Sequence, residues 1–193
     1  MLRPRRTLFN GAGVLRETHV RRRRALRCLS RMRSSDEDDR TISYKSQAVR
    51  YAAQALSVLI PGDWRANGTF VPIPPSRVKD DPDHDPRVLA VLQAVNPAPA
   101  DVRGLVLLRE NAEAKAKNVS PHERAANYEI NDGETNPEPE HLIIFDDVLA
   151  GASHFKATKM VLQARFQNAT VTGLFLARSI RPNQELVIRI EDL

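Results

Sequence analysis

The residues with the clearest chemical potential form one short segment in the second half of the chain. Two adjacent carboxylates, Asp146 and Asp147, directly follow an apolar run from Leu142 to Phe145. The run is typical of a strand that is buried on both faces of a parallel sheet. A turn of small residues, Ala150 to Ser153, follows the acids and leads into a helix that begins near His154.

This order of strand, acids, small-residue turn and helix favours a phosphorylated sugar as the ligand. In open α/β sheets, ligands bind beyond the carboxyl ends of the strands. A helix N-terminus at that edge offers unpaired N–H groups to an anion. We therefore expect the carboxylates to bind sugar hydroxyls and the amides to bind the phosphate. A purely structural turn is the alternative, and it is less favoured because acids at a strand end are costly to bury without a partner.

Predicted strands and helices alternate along the chain after position 40. Helical periodicity starts near Ser43, and Asp85 followed by proline predicts a second helix start. Ser120 and Glu123 form a capping-box pattern that predicts a third. Strands are predicted over residues 69–73, 104–108, 142–145, 170–177 and, with a weaker signal, 186–190. The alternation predicts an α/β fold with a mostly parallel sheet flanked by helices.

The charge of the chain is concentrated at one end. Residues 1–33 contain eleven Arg and one Glu, a net charge of +10, whereas residues 34–193 carry a net charge of −5. We therefore predict a basic arm of low order over residues 1–40 and one domain over residues 41–193. A solvated arm is the favoured interpretation of residues 1–40. A nucleic-acid tether, an Arg-rich transit peptide and a leader unrelated to the domain are the alternatives.

The remaining composition narrows the environment of the protein. A single cysteine, Cys28, excludes an internal disulfide framework and favours a reducing compartment. No apolar run approaches the length that a membrane-crossing helix needs. We therefore expect a cytoplasmic protein without a membrane partner. The sequence is compatible with a homodimer.

Cationic side chains follow two other predicted strands. Arg77 and Lys79 follow the strand that ends at Ile73. A second group follows the strand that ends at Leu108, and it comprises Arg109, Lys115, Lys117 and Arg124. If these strands are neighbours of the strand before Asp146, their loops share one edge of the sheet. The cations would then face the phosphate cradle across a gap the size of a sugar.

The segment from Ile143 to Ser153 resembles the phosphoribosyl pyrophosphate (PRPP) signature of type I phosphoribosyltransferases. Phe70-Val-Pro-Ile-Pro74 is similar to the strand that precedes the pyrophosphate loop in the ComF-like branch of that family. Ser120-Pro-His-Glu-Arg-Ala-Ala-Asn127 is similar to a Leu-Ser-x-x-Glu-Arg-x-x-Asn element of the same branch. The three stretches occur in the order of the family and together cover roughly residues 44–180.

The resemblance implies a phosphoribosyltransferase-like fold and a set of site residues. Asp146 and Asp147 would hold the ribose hydroxyls, directly or through metal-bound water. The backbone N–H groups of the four loop residues and the Ser153 hydroxyl would bind the 5′-phosphate. The PRPP-binding residues implied by the resemblance and by the loop positions are Ala150, Gly151, Ala152, Ser153, His154, Arg77, Lys79 and Arg109.

The implied reaction transfers a ribose 5-phosphate group from PRPP to a nitrogenous acceptor. Mg²⁺ would be held mainly by the phosphates of the ligand, with Asp146 and Asp147 as the available protein ligands. The alternative is a non-catalytic PRPP- or nucleotide-binding module on the same fold, which serves regulation or DNA handling. The basic arm would then act as a tether to nucleic acid.

The phosphate loop departs from the family pattern, Thr-Thr-Gly followed by Ala or Ser. The corresponding residues are Ala150, Gly151, Ala152 and Ser153, so two hydroxyls are missing and the glycine stands one position early. A residue other than glycine resists a positive φ angle. We therefore expect either a lower phosphate affinity or a different turn at this loop.

Overall fold

The computed structural model describes residues 39–112 and 119–179. The chain divides into two compact units, Met1–Ala48 and Val49–Leu193. The described part of the first unit is helical. The predicted arm up to residue 38, the cations Lys115 and Lys117, and the predicted strand over residues 186–190 lie outside the described residues.

Helices and strands alternate along most of the described chain. In chain order the elements are α1 (Asp39–Leu59), α2 (Gly62–Asn67), β1 (Thr69–Pro72), α3 (Arg87–Gln93), β2 (Asp101–Val102), β3 (Val106–Leu108), α4 (Pro121–Ala126), β4 (Tyr128–Ile130), a 3₁₀ turn (Asp132–Glu134), β5 (His141–Leu149), α5 (Ser153–Arg165) and β6 (Thr170–Arg178). None of the described helices is long and apolar enough to cross a membrane.

Four parallel strands form the main sheet, in the order β2–β1–β5–β6. The prediction of an α/β fold with a mostly parallel sheet is confirmed. β1 and β5 are neighbours, and Pro72 at the end of β1 lies opposite Phe145. The segment that follows β1 therefore starts beside the acid pair of β5.

Both faces of β5 are buried, as the apolar run predicts. One face packs against α5 and against the β3–β4 hairpin. The other face packs against α3 and against the part of α1 that follows Ala48. The first core includes Leu142, Ile144, Phe155, Leu162 and Phe166. The second core includes Ala53, Leu56, Leu92, Ile143 and Phe145.

The predicted strand over residues 104–108 does not belong to the main sheet. Instead, the short β2 pairs with β1, and β3 forms a separate antiparallel hairpin with β4. Arg103 still donates its N–H to the Phe70 carbonyl at the edge of the main sheet. The chain then leaves that edge, because Leu105 and Val106 are buried in the core that includes α5.

Two of the predicted helix starts lie close to those observed, and a third lies later than the observed start. Ser120 and Glu123 form the complete reciprocal capping box at the start of α4. The Asp85 carboxylate accepts a hydrogen bond from the Arg87 N–H, where α3 begins. α1 begins at Asp39, before the predicted start near Ser43.

Candidate functional site

The acid pair lies in the last part of β5, which continues to Leu149 rather than ending at Phe145. Asp146 and Val148 pair with β6, whereas Asp147 has no register partner there. The N–H of Asp147 donates to Asp146 Oδ1 at 2.8 Å. The Asp147 carboxyl group also acts on Asp146, which indicates that the two carboxyl groups lie near each other at the carboxyl end of the strand.

Asp146 has a strongly perturbed acidity. Burial raises the pKa of Asp146 from 3.8 to about 7, and the neighbouring Asp147 carboxyl adds to the increase. The N–H of Asp147 and the charge of Arg87 partly offset this rise in pKa. Near pH 7 both protonation states are populated, so this side chain can donate a hydrogen bond as well as accept one.

The small-residue loop turns through a left-handed residue at Ala152. Ala152 has φ 56° and ψ 1°, the one positive φ of a non-glycine residue in the described ranges. A left-handed conformation of this kind costs roughly 1–2 kcal/mol for an L-residue other than glycine. Ala152 thus adopts the positive φ that a residue other than glycine resists, and the expected change in phosphate affinity stays a prediction.

The N-terminus of α5 carries backbone N–H groups that no described side chain caps. Ala152 is the N-cap residue, and no side chain caps the helix. The first helical hydrogen bond runs from the Lys156 N–H to the Ala152 carbonyl at 2.8 Å. The preceding N–H groups of the first turn have no intrahelical acceptor, as at any helix start. They can therefore donate to a phosphate.

Helix α5 is held tightly against β6 at this end. A Cβ atom on Gly173 would lie 2.8 Å from the Phe155 ring and 2.7 Å from the Phe175 ring. The two rings pack edge to face, with their centroids 5.5 Å apart and their planes at 73°. Glycine in β6 therefore permits the close approach that sets where the first turn of α5 lies.

Ser153 connects the loop to the segment around α4. Its hydroxyl donates to the Val119 carbonyl at 3.1 Å and accepts from Arg124 Nε at 3.3 Å. The hydroxyl that the resemblance assigns to phosphate is thus already engaged. The same hydrogen bond holds the guanidinium of Arg124 at the start of α5.

His154 and Tyr128 form a partly buried polar pair beside the loop. His154 Nδ1 lies 3.2 Å from the Tyr128 hydroxyl. Burial, followed by the charge of Arg124, lowers the pKa of His154 to about 4, so the imidazole is neutral at pH 7. Burial raises the pKa of Tyr128 to about 12, against the opposing effect of Arg124. The fully buried Thr158 hydroxyl faces the same phenol, yet it makes no hydrogen bond of good geometry to a described residue.

The loop after β1 is tied to the loop after β3. Asn111 accepts from the Val78 N–H at 2.8 Å and donates to Asp81 at 2.6 Å. Arg77 lies 3.9 Å from Asp81 in its own loop, and Lys79 is exposed. The structure thus joins these two loops as expected, but it shows no contact between either cation and the acid pair.

Arg109 is directed to the hairpin. Its Nε donates to the Tyr128 carbonyl at 3.3 Å and lies 3.9 Å from the Glu129 carboxylate. Its described contacts therefore do not bring it to the phosphate loop. The mistaken placement of β3 in the main sheet accounts for this difference.

Two side chains near the acids and the loop were not predicted as site residues. Arg87 follows the Asp85–Pro86 helix start, and its charge acts on Asp146 from α3. Tyr128 directly follows the Ser120–Asn127 element, and that position was the only sequence signal for it. Within the described ranges, no group of three or more His, Cys, Asp or Glu side chains is arranged to hold a metal ion.

Comparison with known proteins adds no assignment. No protein-family model matches the chain, and a search of curated proteins finds no significant match.

Proposed function

We propose that the domain binds PRPP at the carboxyl edge of the main sheet and transfers its ribose 5-phosphate group to a nitrogenous acceptor. We also propose that its fold is phosphoribosyltransferase-like. One observation carries the proposal: the left-handed turn at Ala152 stands between a close carboxylate pair and an uncapped helix N-terminus. That arrangement offers partners for the hydroxyls and for the phosphate of one pentose phosphate.

The acid pair would orient the ribose. Asp146 is partly protonated near neutral pH and can donate to one hydroxyl oxygen or accept from one hydroxyl proton. Asp147 offers a second carboxyl group beside it. Firm positioning of the sugar is a principal demand of substitution at the anomeric carbon, because it removes much of the entropic cost of bringing the reactants together.

The 5′-phosphate would bind the loop. Amides of residues 150–153 and of the first turn of α5 would donate to its oxygens, and the helix dipole favours the negative charge. The sugar is then held at both ends, by the acids at its hydroxyls and by the amides at its phosphate. The anomeric carbon is thereby presented to the acceptor in a fixed orientation.

The departing pyrophosphate requires charge stabilisation. Mg²⁺ prefers phosphate oxygens together with one or two carboxylates, and the close pair Asp146 and Asp147 fits that preference. When bound, the ion would supply positive charge to the pyrophosphate. Within the described ranges the Arg77 side chain makes a long, partly exposed ion pair, so turning it toward the ligand would cost little.

A specific observation favours the non-catalytic alternative, a PRPP- or nucleotide-binding module. Ala150, Gly151 and Ala152 carry no hydroxyl, and the Ser153 hydroxyl is already bonded to Val119 and Arg124. The loop therefore offers the phosphate mainly backbone donors. Such a cradle supports binding without the additional contacts that a transferase draws on in its transition state.

Calorimetry and product analysis test the proposal. We expect the full-length protein to bind PRPP in the presence of Mg²⁺ and to release pyrophosphate with at least one base from a panel of purines, pyrimidines and related heterocycles. Binding without release with any base would replace the transferase with the binding module. Absence of PRPP binding would exclude the transferase, and absence of both PRPP and nucleotide binding would exclude the module as well.

A further inference from the structure

Arg124 lies at the phosphate loop, and no carboxylate of residues 39–112 or 119–179 forms an ion pair with it. Its Nε donates to Ser153, the first residue of α5, at 3.3 Å. The five ion pairs among the described residues involve other arginines, and Arg124 takes part in none of them. A guanidinium carries five N–H donors, and the described partners of Arg124 are the Ser153 hydroxyl and the Tyr128 hydroxyl, so further N–H groups remain for a ligand.

The charge of Arg124 acts on a partly buried environment. It opposes the rise in the pKa of Tyr128 and adds to the fall in the pKa of His154. Both of these side chains are neutral at pH 7, so neither compensates a positive charge. A partly desolvated charge without a counter-ion is unfavourable, and an incoming anion would remove that cost.

Two sources of positive potential therefore meet at the start of α5. One is the uncapped helix N-terminus, and the other is the guanidinium at Ser153. The fully buried Thr158 hydroxyl lies beside Tyr128 in the same polar cluster. The helix N-terminus and the guanidinium together favour a small anion with several acceptor oxygens.

We propose that Arg124 is the cationic partner of the ligand's 5′-phosphate and takes the place of the hydroxyls that the loop lacks. The inference rests on the proposed function, because it requires that residues 150–153 bind a phosphate. Ser153 acts here as a positioning residue that orients the guanidinium through Nε. The ligand class is a phosphomonoester, since a fork of guanidinium N–H groups matches phosphate oxygens.

The test compares Arg124→Gln and Arg124→Lys with Arg165→Gln. Arg165 lies at the opposite end of the same helix, so its variant controls for the loss of one charge. Calorimetry with ribose 5-phosphate, with inorganic phosphate and with PRPP plus Mg²⁺ gives the affinities. Thermal unfolding checks that each variant is folded, and Ser153→Ala provides a variant that keeps the cation but removes its acceptor.

We expect Arg124→Gln to weaken ribose 5-phosphate and PRPP by similar factors, about tenfold to a hundredfold for a charge-assisted contact. Arg124→Lys should be intermediate because it keeps the charge and loses the fork, and Ser153→Ala should weaken binding less than Arg124→Gln. The control should stay within about twofold of the wild type, as expected for a distant surface charge.

Two results would overturn the inference. The first is a folded Arg124→Gln variant that binds ribose 5-phosphate as the wild type does, an outcome that leaves the proposed function standing. The second is a wild type that binds neither inorganic phosphate nor either sugar phosphate. If the wild type fails to bind PRPP but binds inorganic phosphate in an Arg124-dependent way, the ribose assignment fails and the role of Arg124 stands.

Discussion

At the scale of single residues, the chemistry of the site depends on environments that adjacent letters do not reveal. The sequence places Asp146 beside Asp147, but the altered acidity of Asp146 results chiefly from burial in the folded domain. Similarly, Ser153 is readily identified as a hydroxyl of the loop, whereas its bonds to Val119 and Arg124 depend on how α4 packs. The sequence therefore identifies these residues as site candidates, but the protonation of Asp146 and the hydrogen-bond partners of Ser153 could not be predicted from it.

The raised pKa of Asp146 predicts a pH dependence of stability. An aspartate titrates near 3.8 when unperturbed, so between about pH 4 and pH 7 the folded state binds more protons than the unfolded state. The free energy of unfolding must fall over that interval as pH rises. We expect Asp146→Asn to remove this loss and to gain stability relative to the wild type, on the order of a few kcal/mol, between pH 4 and pH 8.

Urea unfolding of both proteins across that interval measures the effect. The difference between them is the relevant quantity, because the lowered pKa of His154 gives the wild type an opposite slope below about pH 6.5. Asp147→Asn is the matched control. Asp147→Asn should reduce the fall of stability with pH without abolishing it, since burial raises the pKa of Asp146 more than the Asp147 carboxyl does. A difference in unfolding free energy between Asp146→Asn and the wild type that does not change with pH would contradict the raised pKa of Asp146.

The loop geometry predicts opposite consequences of moving the glycine. Ala152→Gly should stabilise the domain by up to about 1 kcal/mol, because relief of the left-handed strain exceeds the added entropy of the unfolded chain. Gly151 has no positive φ, and a Cβ there would meet nothing within 4 Å. Gly151→Ala should therefore be tolerated, with a gain of about 0.4–1 kcal/mol.

Chemical denaturation of the two single variants checks this prediction. Loss of stability in Ala152→Gly would show that the alanine is not strained in this turn. Loss of stability in Gly151→Ala would show that the glycine is required where it stands.

At the scale of elements, the sequence predicts those whose signals are local. The α4 capping box and the apolar run of β5 depend on neighbouring residues, and both are observed. β2 has only two residues, and β3 is an ordinary apolar run whose partner cannot be read from its own composition. The sheet to which a strand belongs depends on pairing with residues that are distant in the sequence. The prediction that residues 104–108 join the main sheet was therefore wrong, and with it the expected position of Arg109.

The close packing between α5 and β6 predicts that the domain does not tolerate an added methyl group at Gly173. Gly173→Ala would force apart the Phe155 and Phe175 rings, and we expect a loss of about 1–3 kcal/mol for an overpacked core. Phe155 is in the first turn of α5, so phosphate affinity should fall as well. Gly62→Ala is the control, because a Cβ there has open space.

Thermal unfolding and ribose 5-phosphate titration of both variants give the two readouts. An unperturbed Gly173→Ala protein would mean that the helix start is not held by this contact.

At the scale of the whole molecule, the uneven distribution of charge predicts that nucleic-acid binding, if present, belongs to the basic arm and not to the acidic domain. The net charge of +10 over residues 1–33, against −5 over the remainder, makes the arm the natural binder of polyanions. For a nucleic-acid tether, we expect affinity for duplex DNA to depend steeply on salt. Replacing Arg21 to Arg24 with Gln should reduce the slope of log K against log salt by about 3–4 if all four contact phosphates.

Fluorescence anisotropy over a range of salt concentrations measures that slope. Arg165→Gln, which removes a charge within the acidic remainder, should leave it unchanged. An identical slope after the four replacements would exclude the tether and favour a merely solvated arm.

The central claim is that the carboxylate pair of β5 holds a ribose, and PRPP calorimetry on acid-pair variants tests it most directly. With Mg²⁺ present, Asp146→Asn combined with Asp147→Asn should weaken PRPP binding by at least about a hundredfold, as expected for two lost charge-assisted contacts. Glu138→Gln combined with Glu140→Gln removes the same number of carboxyl groups before the opposite end of the strand, and its affinity should not change. A folded double Asp variant that binds PRPP as tightly as the wild type would contradict the account.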